Sequence, residues 1–302
     1  MTINELLTSF FSRKTVRQLS ATGWNPAYED TVLRLVEHPE TKTNRECIDE
    51  VYWYLASHYK DEYYFKNEML NQLVSSEDTA IVELPVAGSI ADFIIVNESA
   101  TVYEIKTSLD NFDRLASQIS DYSRAFAKLA VVIPSEKLGS LLQKIDNPKI
   151  GIVIETDGQF SVYREPVADM SHLSHRAMFG ILRKPEYSAI IKQWFGTVPE
   201  VSDFEYYETC CVLFSQIPMQ KAYLLFTDAL KKRKLRQDIS DIPYGFRGLL
   251  YFMKLNRREY ARFLSFLNQK FAKGAIHGLK NMLKGANDRS KNAPKGAKNS
   301  RN

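Results

Sequence analysis

The spacing of apolar residues along the chain changes twice, from a helical period to a strand period and back. Residues 2–21 and 46–75 carry apolar side chains at helical spacing, and the second segment is expected to break near Lys60. From residue 80 the period shortens to two. This change predicts three consecutive strands joined by short turns, at residues 80–86, 91–96 and 101–106.

The segment that follows combines helices with buried strands. Apolar residues three and four positions apart predict a helix over residues 110–127; they are Phe112, Leu115, Ile119, Tyr122 and Phe126. Continuous apolar runs at 129–133 and 150–155 are typical of strands buried on both faces, and a short helix from Ser135 separates them. Residues 159–164 are expected to pair with the second run across Asp157-Gly158. A meander followed by a crossover predicts an α/β fold with a mixed central sheet flanked by helices.

Four regions are expected along the chain. They are an N-terminal helical segment (1–45), the mixed-sheet core (46–165), a helical C-terminal region (166–284) and a disordered basic tail (285–302). The formal net charge is +4, and residues 270–302 contain nine Lys or Arg and one acid, Asp288. Such a tail is either solvated chain or a phosphate-binding segment, and the sequence leaves both interpretations open.

Composition excludes several classes of protein. The three cysteines, two of them adjacent, cannot form a disulfide framework or a four-cysteine zinc site. No stretch approaches 18 consecutive apolar residues, and the N-terminus lacks the apolar core of a signal peptide. The expectation is therefore a cytoplasmic protein with no membrane segment.

Candidate chemistry lies in the second and third predicted strands. Glu104 and Lys106 are two residues apart, so on a strand they share one face. Asp92 opens the preceding strand of the hairpin, and a register that pairs residue 94 with residue 104 would place Asp92 opposite Lys106. Two like charges ~4 Å apart repel by about 4 kcal/mol at an effective dielectric near 20, a cost that a divalent cation would reduce. Carboxylates are the ligands that Mg²⁺ prefers.

The Glu-x-Lys pattern is weak by itself, because about one is expected by chance in a chain of this length. A second example, Glu40-Thr-Lys42, lies in a polar segment that is not a strand. The strand context and the preceding aspartate distinguish the Glu104–Lys106 pattern. The competing interpretation is a surface salt bridge on a hairpin.

The order helix, strand, Asp-strand, Glu-x-Lys-strand, helix, strand resembles that of the PD-(D/E)XK nucleases. Gln118-Ile-Ser-Asp-Tyr122 resembles the Gln-x-x-x-Tyr motif of the branch that contains the RecB nucleases. A little-characterised bacterial and phage family of this fold is similar in three stretches. They are Tyr64-Phe-Lys-Asn67, Ala91-Asp92 with 103–107, and Leu109-Asp110 with 113–115, Gln118 and Tyr122.

The resemblance implies a restriction-endonuclease-like fold and a metal-dependent nuclease, with DNA as the expected substrate. Asp92 and Glu104 would hold Mg²⁺, for which Mn²⁺ could substitute, and Lys106 would orient water or stabilise developing charge. Glu83 is either a further metal ligand or part of the polar edge of the hairpin. Glu68 is a candidate for the acid that this superfamily often has on the helix before the sheet, although a solvated position is expected for it.

Three residues of the predicted helix have two interpretations each. Gln118 lies off the apolar stripe and either reaches back to the lysine or a phosphate, or is an exposed glutamine. Tyr122 lies on the stripe, so it packs in the core or contacts nucleic acid. Arg114 binds a phosphate or pairs with Asp110, four residues earlier.

A second hypothesis is a catalytically inactive nucleic-acid-binding or scaffold protein on the same fold. The intact Asp92, Glu104 and Lys106 favour the enzyme. The C-terminal helical region is a candidate surface for a homodimer or for a protein partner.

Overall fold

The computed structural model describes residues 1–233, 239–253 and 255–274. Over these residues the helices, in chain order, are α1 (Ile3–Phe10), α2 (Arg13–Thr22), α3 (Pro26–Leu35), α4 (Asn44–His58), α5 (Glu62–Leu73), α6 (Leu115–Ser123), α7 (Leu138–Leu142), α8 (His175–Ile181), α9 (Lys184–Phe195), α10 (Asp203–Ser215), α11 (Met219–Lys231), α12 (Arg247–Phe252) and α13 (Arg257–Leu267). Short 3₁₀ turns lie at Pro39–Thr41, Ser135–Lys137 and Tyr244–Phe246. The strands are β1 (Thr79–Val86), β2 (Ser89–Val96), β3 (Ala100–Ile105), β4 (Lys128–Pro134), β5 (Gly151–Thr156) and β6 (Gln159–Arg164).

The six strands form one mixed sheet in the order of the chain. Strands β1, β2 and β3 are an antiparallel meander, β3, β4 and β5 run parallel, and β6 returns antiparallel to β5. Helices α6 and α7 provide the crossovers that parallel strands require. At the β5–β6 turn, Asp157 and Gly158 both have positive φ, as a two-residue turn of this kind needs. The predicted mixed α/β fold is confirmed.

One face of the sheet packs against α6 and the helices that follow β6. Buried side chains of β3 and β4 meet those of α6 and of helices α8–α11 in a single apolar cluster; it includes Val102, Val131, Ile133, Leu115, Tyr122, Phe126, Met178, Phe179, Ile190, Phe214 and Phe226. Helices α8 to α11 therefore complete the core of the sheet.

Helix α5 contacts the sheet through other strands. The Tyr64 hydroxyl donates to Glu155 on β5, and the Phe65 ring meets the edge of Phe160 on β6. By the two-residue period of a strand, Glu155 lies on the face opposite Ile152 and Ile154, which pack with the α6 cluster. Helix α5 therefore covers the second face.

The chain divides into two compact units, which differ from the regions expected from sequence. One consists of Met1–Tyr59 and the described residues of Asp238–Asn302, and the other is Lys60–Gln237. The first holds α1 to α4, α12 and α13, where stacked and edge-on aromatic rings form the core; among them are Phe10, Tyr28, Phe246, Phe263 and Phe266.

Two of the boundaries expected from the sequence do not agree with the contacts made within the units. The first boundary, at residue 45, falls inside α4, whose Asn44 side chain accepts from Tyr28 and donates to the backbone of Phe266. The boundary at 165 separates the sheet from helices that share its core, because apolar patterning along a helix does not reveal which layer it covers. The expected tail, 285–302, lies outside the described residues.

Two helices differ from their predicted extents because polar side chains end or delay them. The helix expected over 2–21 is two helices, since the Ser12 side chain caps the second one by accepting from the N–H of Thr15. The helix expected from residue 110 begins at Leu115, because the Asp110 carboxylate holds residues 107–110 in a turn by accepting from the N–H and hydroxyl of Thr107. Within the described part of the chain, no helix has the length and apolar character needed to cross a membrane.

Candidate active site

Glu104 lies at the centre of a buried polar network between β3 and α6. The residue is 2% exposed, and its carboxylate accepts from three side chains. Lys106 Nζ lies 2.8 Å from Oε1, the Gln118 amide donates to the same oxygen, and Tyr122 Oη lies 2.7 Å from Oε2. Lys106 and Glu104 share a face through the two-residue period, while α6 supplies the other two donors from one of its faces.

The Lys106 ammonium has a second partner in the same network, the side-chain oxygen of Gln118 at 3.0 Å. Gln118 thus donates to the carboxylate and accepts from the lysine, which fixes both groups relative to each other. The alternative of an exposed glutamine is wrong, because Gln118 is buried on the face of α6 that meets the sheet. Its contact with the lysine is the one predicted from sequence.

Asp92 lies beside Glu104 on the neighbouring strand. Its Oδ2 accepts the backbone N–H of Ile105 at 2.8 Å, which ties the end of β3 to β2. Burial, and next the negative charge of Glu104, raise the pKa of the Asp92 carboxyl to about 7. The site therefore contains a carboxyl group that resists ionisation because it is buried and because another carboxylate is close.

The register between β2 and β3 differs from the expected one by two residues. Phe93 pairs with Tyr103, so Asp92 is level with Glu104 and not with Lys106. A shift of two residues keeps every side chain on its predicted face, which a shift of one would not. Asp92 and Glu104 therefore share the face that the sequence predicted, with the two carboxyl groups as direct neighbours.

Glu83 occupies the same row of the sheet on β1, and its assignment as a metal ligand stays a prediction. The pairs flanking it, Val82 with Phe93 and Leu84 with Ala91, place it level with Asp92. Its φ of 53° lies in the left-handed region within β1, and its half-exposed carboxylate lies 3.6 Å from the ammonium of Lys66. Across the described ranges, no three His, Cys, Asp or Glu side chains are arranged to hold a metal ion.

Helix α5 brings charged residues that the sequence analysis did not assign to the site. The Lys66 side chain is 10% exposed and pairs with Glu62 one turn earlier. Both residues act on Asp92, whose carboxyl pKa is raised by Glu62 and lowered by Lys66. The Tyr64-Phe-Lys-Asn67 stretch contains Lys66, whereas no motif in the sequence pointed to Glu62. Glu68, expected on a solvated face, is buried and accepts from Gln72 at 2.8 Å.

The two residues assigned to nucleic-acid contact have different positions. Tyr122 is 1% exposed and its hydroxyl lies between Glu104 and the carbonyl of Ile90, so its assignment as a nucleic-acid contact is wrong. Its place on the apolar stripe explains the burial. Arg114, just before α6, is exposed. The alternative pairing of Arg114 with Asp110 is not formed in the described residues, because Asp110 turns back to Thr107.

Asp92 and Glu104 fit a hard divalent cation as ligands. Both offer carboxylate oxygen, and Mg²⁺ is commonly held by one or two carboxylates with water in the remaining positions. Burial, and next the charge of Glu104, raise the pKa of Asp92, so ionising both acids in this site leaves an excess of negative charge that is costly to bury. A cation would remove this excess of negative charge, and the small number of protein ligands would leave positions for water and substrate.

Comparisons with known proteins identify a phage family. A family model described as Bacteriophage P4 protein cII matches residues 56–240, a range that contains the whole sheet and all the site residues above. Among solved structures, a protein of unknown function from Silicibacter pomeroyi is similar at 15% identity and a TM-score of 0.31. That match covers 46% of this chain and 93% of the other. No curated protein matches the chain. The resemblance to PD-(D/E)XK nucleases stays a prediction.

Proposed function

The chain belongs to the bacteriophage P4 protein cII family, and we propose that it is a metal-dependent nuclease of the PD-(D/E)XK type that hydrolyses phosphodiester bonds in DNA. The observation that carries the proposal is the pair of adjacent carboxyls, Asp92 and Glu104, with the Lys106 ammonium 2.8 Å from Glu104. A stable fold gains nothing from placing two acids side by side where burial raises a pKa to about 7. Such perturbed groups are concentrated at functional sites.

In this proposal Asp92 and Glu104 would hold Mg²⁺, or Mn²⁺ in its place, and the cation would supply Lewis acidity to the phosphoryl group. Asp92 is oriented by the Ile105 amide, and Glu104 by Gln118 and Tyr122. Lys106 would lie beside the reacting phosphate, where its ammonium orients the attacking water or stabilises the negative charge that develops. Gln118 positions Lys106 and is not itself required to touch the substrate.

The surrounding structure supports this division of roles. The carboxylate of Glu104 and the ammonium of Lys106 are held by hydrogen bonds from a helix and a strand, and not by loops. Preorganised charges of this kind act on a transition state without the cost of reorganising at the moment of reaction. The exposed Arg114 lies four residues before Gln118 on the same segment, where its guanidinium would contact a phosphate outside the site.

The test is incubation of the purified protein with linear and with circular DNA, in Mg²⁺, in Mn²⁺ and in EDTA. Cleavage that requires a divalent cation is expected, and it should be lost in Glu104→Gln and in Lys106→Met. Circular substrate distinguishes cleavage within a strand from cleavage that starts at an end. Absence of metal-dependent cleavage on DNA and RNA, with DNA binding retained, would instead favour an inactive binding protein on the same fold.

A further inference from the structure

The segment 107–114 joins two members of the polar network around Glu104. It begins directly after Lys106 and leads into α6, which carries Gln118. The segment leaves β3 at the carboxyl end of that strand, which runs parallel to β4. In open α/β sheets, ligands bind outside the carboxyl ends of the strands. A side chain exposed on this segment is therefore placed beside the substrate of the site.

Leu109 is such a side chain, with 77% of its surface exposed although it is a large apolar residue. Three residues along the chain separate it from Lys106, so the two Cα atoms lie within about 11 Å of each other. Single exposed apolar residues are ordinary on protein surfaces and indicate nothing by themselves. Leu109 differs from them in its place next to the site and in how its turn is held.

Hydrogen bonds fix the backbone on both sides of Leu109. Asp110 Oδ2 accepts from the N–H of Thr107 at 2.8 Å and from its hydroxyl at 2.7 Å. The Asp110 N–H donates to the Thr107 carbonyl at 3.2 Å, and Lys137 donates to the Asp110 carbonyl from the turn after β4. The Leu109 side chain is therefore presented at a fixed position, which lowers the entropy cost of a contact with a ligand.

The charges around this turn have mixed signs. Lys137 and Arg114 are cations beside it, while Asp113 and Glu136 are exposed acids on the same segments. Overall charge therefore does not make this surface a binding site for a phosphate backbone. The distinctive feature that the turn offers a ligand is an apolar side chain, and the apolar part of a nucleic acid strand is the face of a base.

We infer that Leu109 packs against an unpaired nucleobase next to the phosphate at the site, so that the substrate is DNA with unpaired bases beside the bond to be cut. The inference rests on the proposed function of Asp92, Glu104 and Lys106. In paired DNA the faces of the bases are stacked, and inserting an apolar side chain costs the free energy of unstacking. Bases that are already unpaired avoid most of this cost. Leu109 is thus a specificity-determining residue that takes no part in the chemical step.

The experiment measures the affinity for three fluorescent oligonucleotides of related sequence by anisotropy. They are a single strand, the fully paired duplex, and the same duplex with an internal bubble of mismatched bases. All proteins carry Glu104→Gln, and EDTA is present, so that no strand is cut. The parent should bind the single strand and the bubble more tightly than the paired duplex. Leu109→Ala should weaken binding to these two by about tenfold and leave binding to the paired duplex unchanged.

Three further variants separate a base contact from a general effect on the protein. Leu224→Ala removes an exposed leucine of α11 and is the matched control, which should leave all three affinities unchanged. Asp110→Ala releases the turn and should lose part of the same affinity although Leu109 is present. Asp110→Asn should restore it, because the amide oxygen can still accept from Thr107. Since Leu109 is exposed, Leu109→Ala should melt at the wild-type temperature.

An unchanged single-strand affinity in Leu109→Ala, or an equal loss on the paired duplex, would overturn the inference. Tighter binding of the paired duplex by the parent would also overturn it. Cleavage by proteins with Glu104 intact, in Mg²⁺, tests the nuclease proposal separately. If the protein cleaves DNA and Leu109→Ala has no effect on binding, the nuclease proposal stands while this inference fails. Loss of single-strand binding in Leu109→Ala without any metal-dependent cleavage would give the reverse result. Failure to bind or cleave any of the three DNAs would overturn both.

Discussion

Two glutamates of the same sheet, Glu104 on β3 and Glu155 on β5, are each 2% exposed and each accept from a lysine and a tyrosine. Glu155 Oε1 lies 2.7 Å from Lys60 Nζ, 3.3 Å from the Tyr64 hydroxyl and 2.7 Å from the N–H of Gly158. These contacts join α5 to the β5–β6 turn. The same residue types around Glu104 connect β3 to α6.

The two clusters differ in whether a second carboxyl group lies beside the buried glutamate. Glu155 meets one cation and two neutral donors, so its charge is balanced by its own partners. Glu104 faces Asp92 across β2 and β3, and its charge contributes to raising the pKa of the Asp92 carboxyl. A buried glutamate–lysine–tyrosine cluster is therefore not by itself a sign of catalysis. The uncompensated neighbouring carboxyl distinguishes the candidate site from the structural cluster.

The largest expected effect is on cleavage. Glu104→Gln and Lys106→Met should each reduce the rate of metal-dependent cleavage by about 10²–10³-fold or more, because each removes a group proposed to act on the metal or on the developing charge. Glu155→Gln is the matched control and should cleave at the wild-type rate once it is folded. The measurement is the single-turnover rate on linear DNA. Equal losses in Glu104→Gln and Glu155→Gln would remove the distinction between the two clusters.

Thermodynamic stability should fall more in Glu155→Gln than in Glu104→Gln, which is the reverse of the order expected for the loss of cleavage. Glu155→Gln leaves Lys60 without its counter-charge and weakens the link between α5 and the turn, so unfolding in urea should become easier by about 1–3 kcal/mol. Glu104→Gln relieves repulsion with Asp92 and retains an acceptor for Lys106. Without divalent cations at pH 8, its free energy of unfolding should equal or exceed that of the wild type. A loss of several kcal/mol in Glu104→Gln would show that its network is mainly structural.

The pH dependence of stability provides a smaller test of the same pair. The folded Asp92 carboxyl has a pKa of about 7, above its ordinary value of 3.8, so the folded protein retains a proton that the unfolded chain releases. The stability from this group is present at low pH and is lost as pH rises from about 4 to about 7. Asp92→Asn cannot lose a proton there, and its amide oxygen can still accept from Ile105.

The measurement for Asp92 is the melting temperature against pH, in EDTA, for the wild type and Asp92→Asn. The two curves should diverge between about pH 4 and pH 7, with the variant more stable by roughly 1 kcal/mol or more at pH 8. Adding Mg²⁺ should stabilise the wild type at pH 8 and should have less effect on the variant. Parallel curves would mean that the Asp92 carboxyl ionises normally.

The local pattern of the sequence predicted the sheet well because strands have a period of two and buried strands are continuously apolar. All six strands and the shared face of Asp92 and Glu104 follow from that periodicity. The exact register does not, because a shift of two residues buries the same side chains and leaves no trace in the pattern. Asp92 was therefore expected opposite Lys106 and lies opposite Glu104.

Features that depend on distant contacts could not be predicted in this way. Lys66 and Glu62 look like an ordinary solvent-exposed helical pair, and their place beside Glu83 depends on how α5 lies on the sheet. Tyr122 satisfies the apolar stripe with its ring and the polar network with its hydroxyl, so the stripe alone did not reveal its bond to Glu104. The division of the chain into units likewise depends on contacts such as Asn44 with Phe266, which are far apart in sequence.

The smallest expected effect concerns Arg114, an exposed cation just before α6. A phosphate contact there would contribute through counterion release, so its loss should weaken binding similarly on every DNA sequence. In a Glu104→Gln background, which prevents cleavage, Arg114→Gln should reduce affinity a few fold and make the slope of log affinity against log salt shallower by about one. Arg176→Gln, an exposed arginine on α8, is the control of equal charge loss and should leave the slope unchanged. If both variants change the slope alike, DNA binding follows the overall charge of the protein; if neither does, the phosphate contacts lie elsewhere on the chain.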